Sequence, residues 1–197
     1  MCHIMTNTSL DVLRIVAVAG SGRTGSLNRA LLDAAIELAP DGVAIEIFED
    51  FGDVPVFNED LEVATPGAVV ELTTMMTGAH GLLISTPEYN QSIPGGVKNL
   101  IDWLSRFDPA RGLAGRPVAV TGVTTGPWGT RIAQTILRQV LLSSGSLVLP
   151  GPHLFVADGR SVFDADGVMI DGDLRSRLEK LLASFTDWIR LVGATPA

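Results

Sequence analysis

The chain has 197 residues, 46% apolar and 18% charged, which excludes a disordered chain and suits one globular unit with a sizeable core. A formal net charge of -8, with a pI near 4.7, excludes a general nucleic-acid surface, which needs clustered Lys and Arg, but allows a local anion pocket. Cys2 is the single cysteine, the first ten residues lack the basic and apolar regions of a signal peptide, and no apolar run reaches the roughly 18 residues of a membrane span; together these predict a cytoplasmic protein with no membrane segment.

Residues 1–10 are expected to be a flexible segment, in which His3 has no ligand partners nearby, and residues 11–197 a single domain. The run Leu13–Ala19 reads as a first strand of the continuously apolar kind found in parallel sheets. It enters Gly20-Ser21-Gly22-Arg23-Thr24-Gly25-Ser26-Leu27-Asn28. A helix follows with Leu27, Leu31, Ala34, Ala35 and Leu38 on one face, ending near Pro40. Val43–Phe48 is a second strand and the acidic stretch Glu49–Asp60 a loop. Thr65-Pro66 predicts a helix start, a capping hydroxyl before proline at the first helical position, with the helix running to about Thr77.

Gly81–Thr86 is a third, buried strand. Pro87–Pro94 is a rigid polar turn between two prolines, and from Val97 the residues Val97, Leu100, Ile101 and Leu104 mark the buried face of a helix. Arg116–Val123 is a fourth strand, Thr124–Thr130 a turn at its carboxyl end, and the next helix carries Ile132, Ile136, Val140 and Leu141. Ser146–Leu149 is a fifth strand and roughly Asp173–Leu191 a last helix. Strict alternation of strand and helix predicts a parallel sheet with right-handed crossovers, wound on both faces.

Three loops at strand carboxyl ends would then share one sheet edge. The first fits G-x-G-x-x-G through Gly20, Gly22 and Gly25, so a dinucleotide fingerprint is one reading, with Glu49-Asp50 as the acidic group. Yet Ser21, Arg23, Thr24, Ser26 and Asn28 crowd side-chain donors around the turn. A phosphate monoester gains from each of them, and from the following helix's free N–H groups and dipole. A bland alternative is that Ser26 only caps the helix. In the second loop Tyr89 could wall a flat ring and Asn90 offer an amide, or Tyr89 could lie in the core. In the third, Trp128 is a lid or ordinary packing. Phosphate at the first loop and a ring between the others describes a mononucleotide lying across the edge.

Gly20-Ser21-x-Arg23-x-x-Ser26-x-Asn28, followed by Pro87-Glu88-Tyr89-Asn90-x-Ser92-x-Pro94-Gly95-x-x-Lys98-Asn99-x-Ile101-Asp102-Trp103, resembles the NADPH-dependent FMN reductase family, whose members include quinone, chromate and azo-dye reductases. Arg116-Pro117-Val118 and Leu137-Arg138-Gln139 also fit. The resemblance implies an α/β fold: a flavodoxin-like, doubly wound, five-stranded parallel sheet with helices on both faces. It implies bound FMN, with NADPH or NADH as transient hydride donor. Ser21, Arg23, Ser26, Leu27 and Asn28 would hold the phosphate; Pro87, Glu88, Tyr89 and Asn90 would line the isoalloxazine; and Thr124, Thr125 and Gly126 would reach its other edge. Gly22 and Thr124–Trp128 depart from the family pattern.

On that resemblance the flavin carries the chemistry, no side chain is a catalyst in the strict sense, and a small-molecule acceptor is reduced in a ping-pong cycle. A homodimer or homotetramer is implied, with Trp103 and Phe107 as candidate interface residues. A non-enzymatic electron carrier and a Rossmann dehydrogenase remain as alternatives. Asp164-Ala165-Asp166-Gly167 opens like a calcium loop but lacks the later ligands and reads as a turn. His3, His80 and His153 are scattered without metal-ligand spacing.

Overall fold

A computed structural model describes residues 12–193, so the expectations for residues 1–10, Cys2 and His3 among them, lie outside the described residues. Its elements are β1 (Leu13–Ala19), α1 (Leu27–Glu37), β2 (Val43–Ile47), α2 (Gly67–Met76), β3 (Gly81–Ser85), α3 (Gly95–Leu104), β4 (Pro117–Val123), α4 (Arg131–Ser143), β5 (Leu147–Val148), β6 (Leu154–Val156), α5 (Gly159–Val162) and α6 (Gly172–Val192). Short 3₁₀ turns at Asp50–Asp53 and Glu59–Ala64 break the acidic loop after β2.

All strands pair in parallel in the order β2-β1-β3-β4-β5, with β6 also on β4. Alternate residues of β1 feed two cores. Ile15 and Ala17 meet α1 and α6, through Leu31, Leu182 and Phe185; Val16 and Val18 meet α2, α3 and α4, through Leu72, Leu100 and Leu137. The strand order reverses between β1 and β3, and the carboxyl ends there open the crevice expected of such sheets.

Three expectations need correction. The fifth strand is split: β5 pairs with the start of β4 and β6, unforeseen, with its end. Pro150 and Pro152 interrupt it because proline donates nothing to a ladder. Pro66, rather than Thr65, caps α2, and the Thr65 hydroxyl instead donates to Glu62 O, closing the preceding turn. The sheet-facing row of α4 is Ala133, Gln134, Leu137 and Leu141, one step round from the expected face. Gln134 is held there by donating to Leu154 O at 3.0 Å and Thr130 Oγ1 at 2.8 Å, which leaves Ile132 44% exposed.

Buried Arg116 stitches the core from beneath. Its guanidinium donates to Ala110 O at 2.8 Å, Pro109 O at 3.1 Å and Ala79 O, and burial lowers its pKa from the ordinary value. Replacing it strands the buried Ala79 carbonyl and frees the partly covered ones of Pro109 and Ala110. Arg116→Met is expected to lose about 3 kcal/mol in urea unfolding, with the same m value as the parent.

Candidate active site

The first loop leaves β1 through Gly20, whose N–H donates to Ser85 O at 2.8 Å. A Cβ at Gly20 would stand 2.5 Å from Val97 Cγ2 and 3.3 Å from Pro87 Cδ, so glycine is what lets the loop lie against α3 and the second loop. Ser26 is the N-cap of α1: its Oγ accepts from Arg29 N at 3.4 Å, and its carbonyl from Arg29 N and Ala30 N at 3.0 Å. The N–H groups of Leu27 and Asn28, ahead of these bonds, have no intrahelical partner and face outward along the helix axis. Exposed Arg23 folds onto its own loop, donating to Gly25 O at 2.9 Å and Thr24 O at 3.4 Å.

Asn28 has another task. Its Oδ1 accepts from Ser85 Oγ at 2.9 Å and Val123 N at 3.0 Å, and its Nδ2 donates to Val123 O at 3.0 Å. Buried and held by three hydrogen bonds, this side chain ties the first loop to the ends of β3 and β4. Only its backbone N–H is left for the expected phosphate role.

In the second loop Tyr89 and Ser92 exchange two 3.0 Å backbone hydrogen bonds around Asn90 and Gln91, whose φ values are +50° and +60°. That is a two-residue hairpin turn of the primed kind. Tyr89 is 51% exposed, which excludes the core reading, and its hydroxyl lies 3.5 Å from Ser21 Oγ. The Glu88 side chain turns away, accepting at Oε2 from Ile132 N at 2.9 Å and Ala133 N at 3.0 Å. It caps α4, so only its backbone can line a ring.

Motif residues beyond this hairpin fasten the acidic loop. Asn99 Oδ1 accepts from Phe57 N at 2.7 Å, Asn99 Nδ2 and Trp103 Nε1 each donate to Pro55 O at 2.8 Å, and Gly96 lies under the Phe51 ring. Trp103 is 1% exposed and T-shaped against Phe57, which removes it from the expected subunit interface. Lys98 and Asp102 pair at 2.6 Å on the outer face of α3.

β6 builds the third loop. Thr124 N donates to Val156 O, Asp158 N to Gly126 O and Gly159 N to Thr124 O. A Cβ at Gly159 would collide with Val123 Cγ2 at 2.6 Å and Leu27 Cδ1 at 2.8 Å. Trp128 is 79% exposed, so it is not ordinary packing.

Ser21, Arg23, Ser26, Leu27 and Thr125 line one cleft of about 850 Å³. Pro87, Glu88, Tyr89, Asn90, Thr124 and Gly126 lie outside its lining on the adjoining edge, which Tyr89 joins to it. The far wall joins Glu49, offered by the sequence only as a ribose ligand, and the Asp164–Gly167 turn, read only as a turn, with Arg29 and Arg160, which the sequence did not single out. The unforeseen β6 delivers Arg160 and the Asp164–Gly167 turn to this wall. Asp164 Oδ1 accepts from Asp166 N and Val168 N, and Gly167 has φ +82°, so the segment is the expected turn. Arg29 pairs with Glu49 and Asp33, and both hydrogen bonds, Glu49's first, raise its pKa. That pairing occupies the acidic group a dinucleotide ribose would need.

A hydroxyl- and guanidinium-rich loop on a helix N-terminus, opening beside an aromatic hairpin, suits a flavin mononucleotide. Comparison with known proteins agrees. Residues 13–160 match the family described as NADPH-dependent FMN reductase. The chain belongs to that family. An NAD(P)H-dependent FMN reductase from Pseudomonas aeruginosa is 36% identical over 181 residues, covering 91% of this chain and 97% of the relative. A 2-hydroxy-1,4-benzoquinone reductase from a Burkholderia species is 34% identical, covering 90% and 97%, and a quinone reductase from Escherichia coli K12 is 33% identical, covering 92% and 98%. The solved structure of FerB, a flavoenzyme NAD(P)H:(acceptor) oxidoreductase from Paracoccus denitrificans, superposes with a TM-score of 0.83 at 32% identity, covering 91% of this chain and 98% of that one. Like these relatives the protein is an oxidoreductase, of flavodoxin-like fold, with FMN as cofactor and NAD(P)H as donor.

The family's first motif thus owes one residue to architecture. Asn28→Leu is expected to cost about 2–3 kcal/mol in chemical unfolding, since the Ser85 hydroxyl and both backbone groups of Val123 lose a buried partner. It should also weaken FMN retention on a desalting column, whereas substituting Thr24, which lines the cleft but is exposed, should leave stability unchanged.

Proposed function

We propose that residues 11–197 form one FMN-binding domain that passes electrons from NADPH or NADH to quinone-type acceptors, with the cofactor lying from the first loop across the edge between the second and third. The observation that carries this reading is the phosphate loop itself. Arg23 is bonded to carbonyls of its own loop rather than to a carboxylate, so it can turn its charge to a phosphate dianion. Ser21 and Ser26 would donate hydroxyls, and Leu27 and Asn28 backbone N–H groups.

Beside the ring, the N–H of Tyr89 is spent on Ser92 O, and that of Thr124 on Val156 O. Glu88, Asn90 and Thr125 are left to offer main-chain donors to its polar edge, and Pro87 and Gly126 shape its two sides. Bound FMN supplies hydride acceptance and release. The protein's part is to hold the ring edge, keep one face open to donor and acceptor in turn, and exclude side reactions. No side-chain acid or base is needed. The quinone class rests on the named activities of the Burkholderia and E. coli relatives.

No helix among the described residues is long and apolar enough to cross a membrane, and we place the enzyme in the cytoplasm. A homodimer or homotetramer is proposed through the outer face of α4 and the turn before it. Trp128, Ile132 and Leu142 are exposed there at 79%, 44% and 61%, whereas α3 buries its tryptophan.

Two measurements test the reading. Purified protein loaded with FMN should lose its blue absorbance band on anaerobic addition of NADPH or NADH and recover it on addition of a benzoquinone. Flavin that neither nucleotide bleaches would mark an electron carrier instead. Arg23→Ala should weaken FMN binding by about tenfold to a hundredfold, a loss of about 1.4–2.8 kcal/mol in fluorescence titration, with the melting temperature of the apoprotein unchanged.

A further inference from the structure

The cleft beside the first loop carries more unpaired positive charge than that loop supplies. Three cations line it: Arg23, Arg29 and Arg160. Arg29 is neutralised within the wall by Asp33 and Glu49. The Arg23 guanidinium bonds only carbonyls of its own loop, and exposed Arg160 has neither an ion pair nor a hydrogen bond among the described residues. Carboxylates stand nearby in sequence, at Asp164 and Asp166, yet Arg160 pairs with neither. Asp164 is turned onto its own backbone instead, Oδ1 accepting from Asp166 N at 3.0 Å and Val168 N at 2.8 Å.

The fold delivers Arg160 to one place. After β6 the chain is bonded to the third loop, Asp158 N donating to Gly126 O at 3.1 Å and Gly159 N to Thr124 O at 2.9 Å. Gly159 then packs directly on the start of α1, where a Cβ would stand 2.8 Å from Leu27 Cδ1. Arg160, the next residue, lines the cleft together with Ser26, Leu27 and Thr125. It is thereby brought to the helix end at which the N–H groups of Leu27 and Asn28 are free.

Charge decides what such a place accommodates. A phosphate monoester carries about 1.5 to 2 negative charges at neutral pH and presents three strong acceptor oxygens. Arg23 alone offers one positive charge. A second guanidinium with no competing carboxylate balances the dianion, and its planar fork suits phosphate oxygens in a way that a point charge does not.

We propose that Arg160 is a second guanidinium for the phosphate of FMN, closing on it from α5 while Arg23 closes from the first loop. The inference rests on the reading of this cleft as the cofactor site. It goes further because Arg160 lies outside both motifs that carry the family resemblance. Two arginines on one dianion would slow release of the cofactor, keeping FMN bound through successive turnovers.

The test is fluorescence titration of the full chain, stripped of FMN, with FMN and with riboflavin, which shares the ring and ribityl chain but lacks the phosphate. Arg160→Ala is expected to weaken FMN binding about tenfold while leaving riboflavin affinity and the melting temperature of the apoprotein unchanged. Arg160→Glu, which sets a carboxylate against the phosphate, should weaken FMN binding further and again spare riboflavin. Should FMN bind equally well to the parent and to Arg160→Ala while Arg23→Ala binds it weakly, this inference falls and the cofactor reading stands. If turnover by that Arg160 variant then drops with NADPH but not with NADH, the guanidinium serves the donor's 2′-phosphate instead. Equal losses for FMN and riboflavin would also overturn the proposal, since the arginine would then act on the fold or the ring. A parent chain that binds no FMN would overturn both readings.

Discussion

A single buried amide sets the geometry of the active edge. Asn28 lies in the first turn of α1, yet its side chain reaches across the strand order to the Ser85 hydroxyl on β3 and to both backbone groups of Val123 on β4. A parallel sheet fixes where its strands end but not how the loops beyond them sit. The asparagine supplies that second constraint beside the point where the strand order reverses. Gly20 adds to it, since only a residue without Cβ can lie under Val97 while donating to Ser85 O. The first loop, hairpin and third loop are thereby held in one register.

The same economy runs through the longer motif. A run such as Pro87–Trp103 invites the view that each residue touches the cofactor, but most of its side chains hold loops. Glu88 caps α4 with a carboxylate placed where the helix dipole favours a negative charge. Asn99 and Trp103 share Pro55 O, and Gly96 makes room for Phe51, so the acidic loop after β2 is clamped down on α3. What faces the ligand edge is mostly backbone. Backbone contacts carry no signature of their own in sequence; the residues that position the backbone do.

This explains what could be read from the sequence and what could not. The sheet, its helices and the turn into α1 were legible because continuous apolar strands, a 3.6-residue period on α1 and α3, and a capping serine are local signals. β6 was not: three residues between prolines and a left-handed Asp158 at φ +48° give no periodicity, and the strand exists only because β4 is long enough to pair twice. With it went the far wall of the cleft. The rotation of α4 escaped notice for a different reason. Ile132 and Ile136 look like core, but the buried row contains Gln134, a polar residue that belongs inside only because Leu154 O and the Thr130 hydroxyl await it. Resemblance named Asn28, Glu88 and Trp103 without telling their tasks, which depend on partners 95, 44 and 48 residues away in the chain.

The hairpin of the second loop shows what the fold spends on a fixed ligand edge. Two consecutive non-glycine residues, Asn90 and Gln91, occupy the left-handed region, where side chains other than glycine cost about 1–2 kcal/mol each, less for asparagine. Nothing local compels Gln91 to accept this. The conformation persists because Tyr89 and Ser92 bond each other on both sides, Pro87 and Pro94 limit the flanks, and Glu88 anchors the entry to α4. A looser loop would cost less but would let the amides of Glu88 and Asn90 wander, and a donor that must be ordered on arrival of the ligand pays in entropy what this one has already settled in folding. Strain here therefore has its counterpart across the cleft: the hairpin is built rigid, whereas exposed Arg23 rests on carbonyls of its own loop.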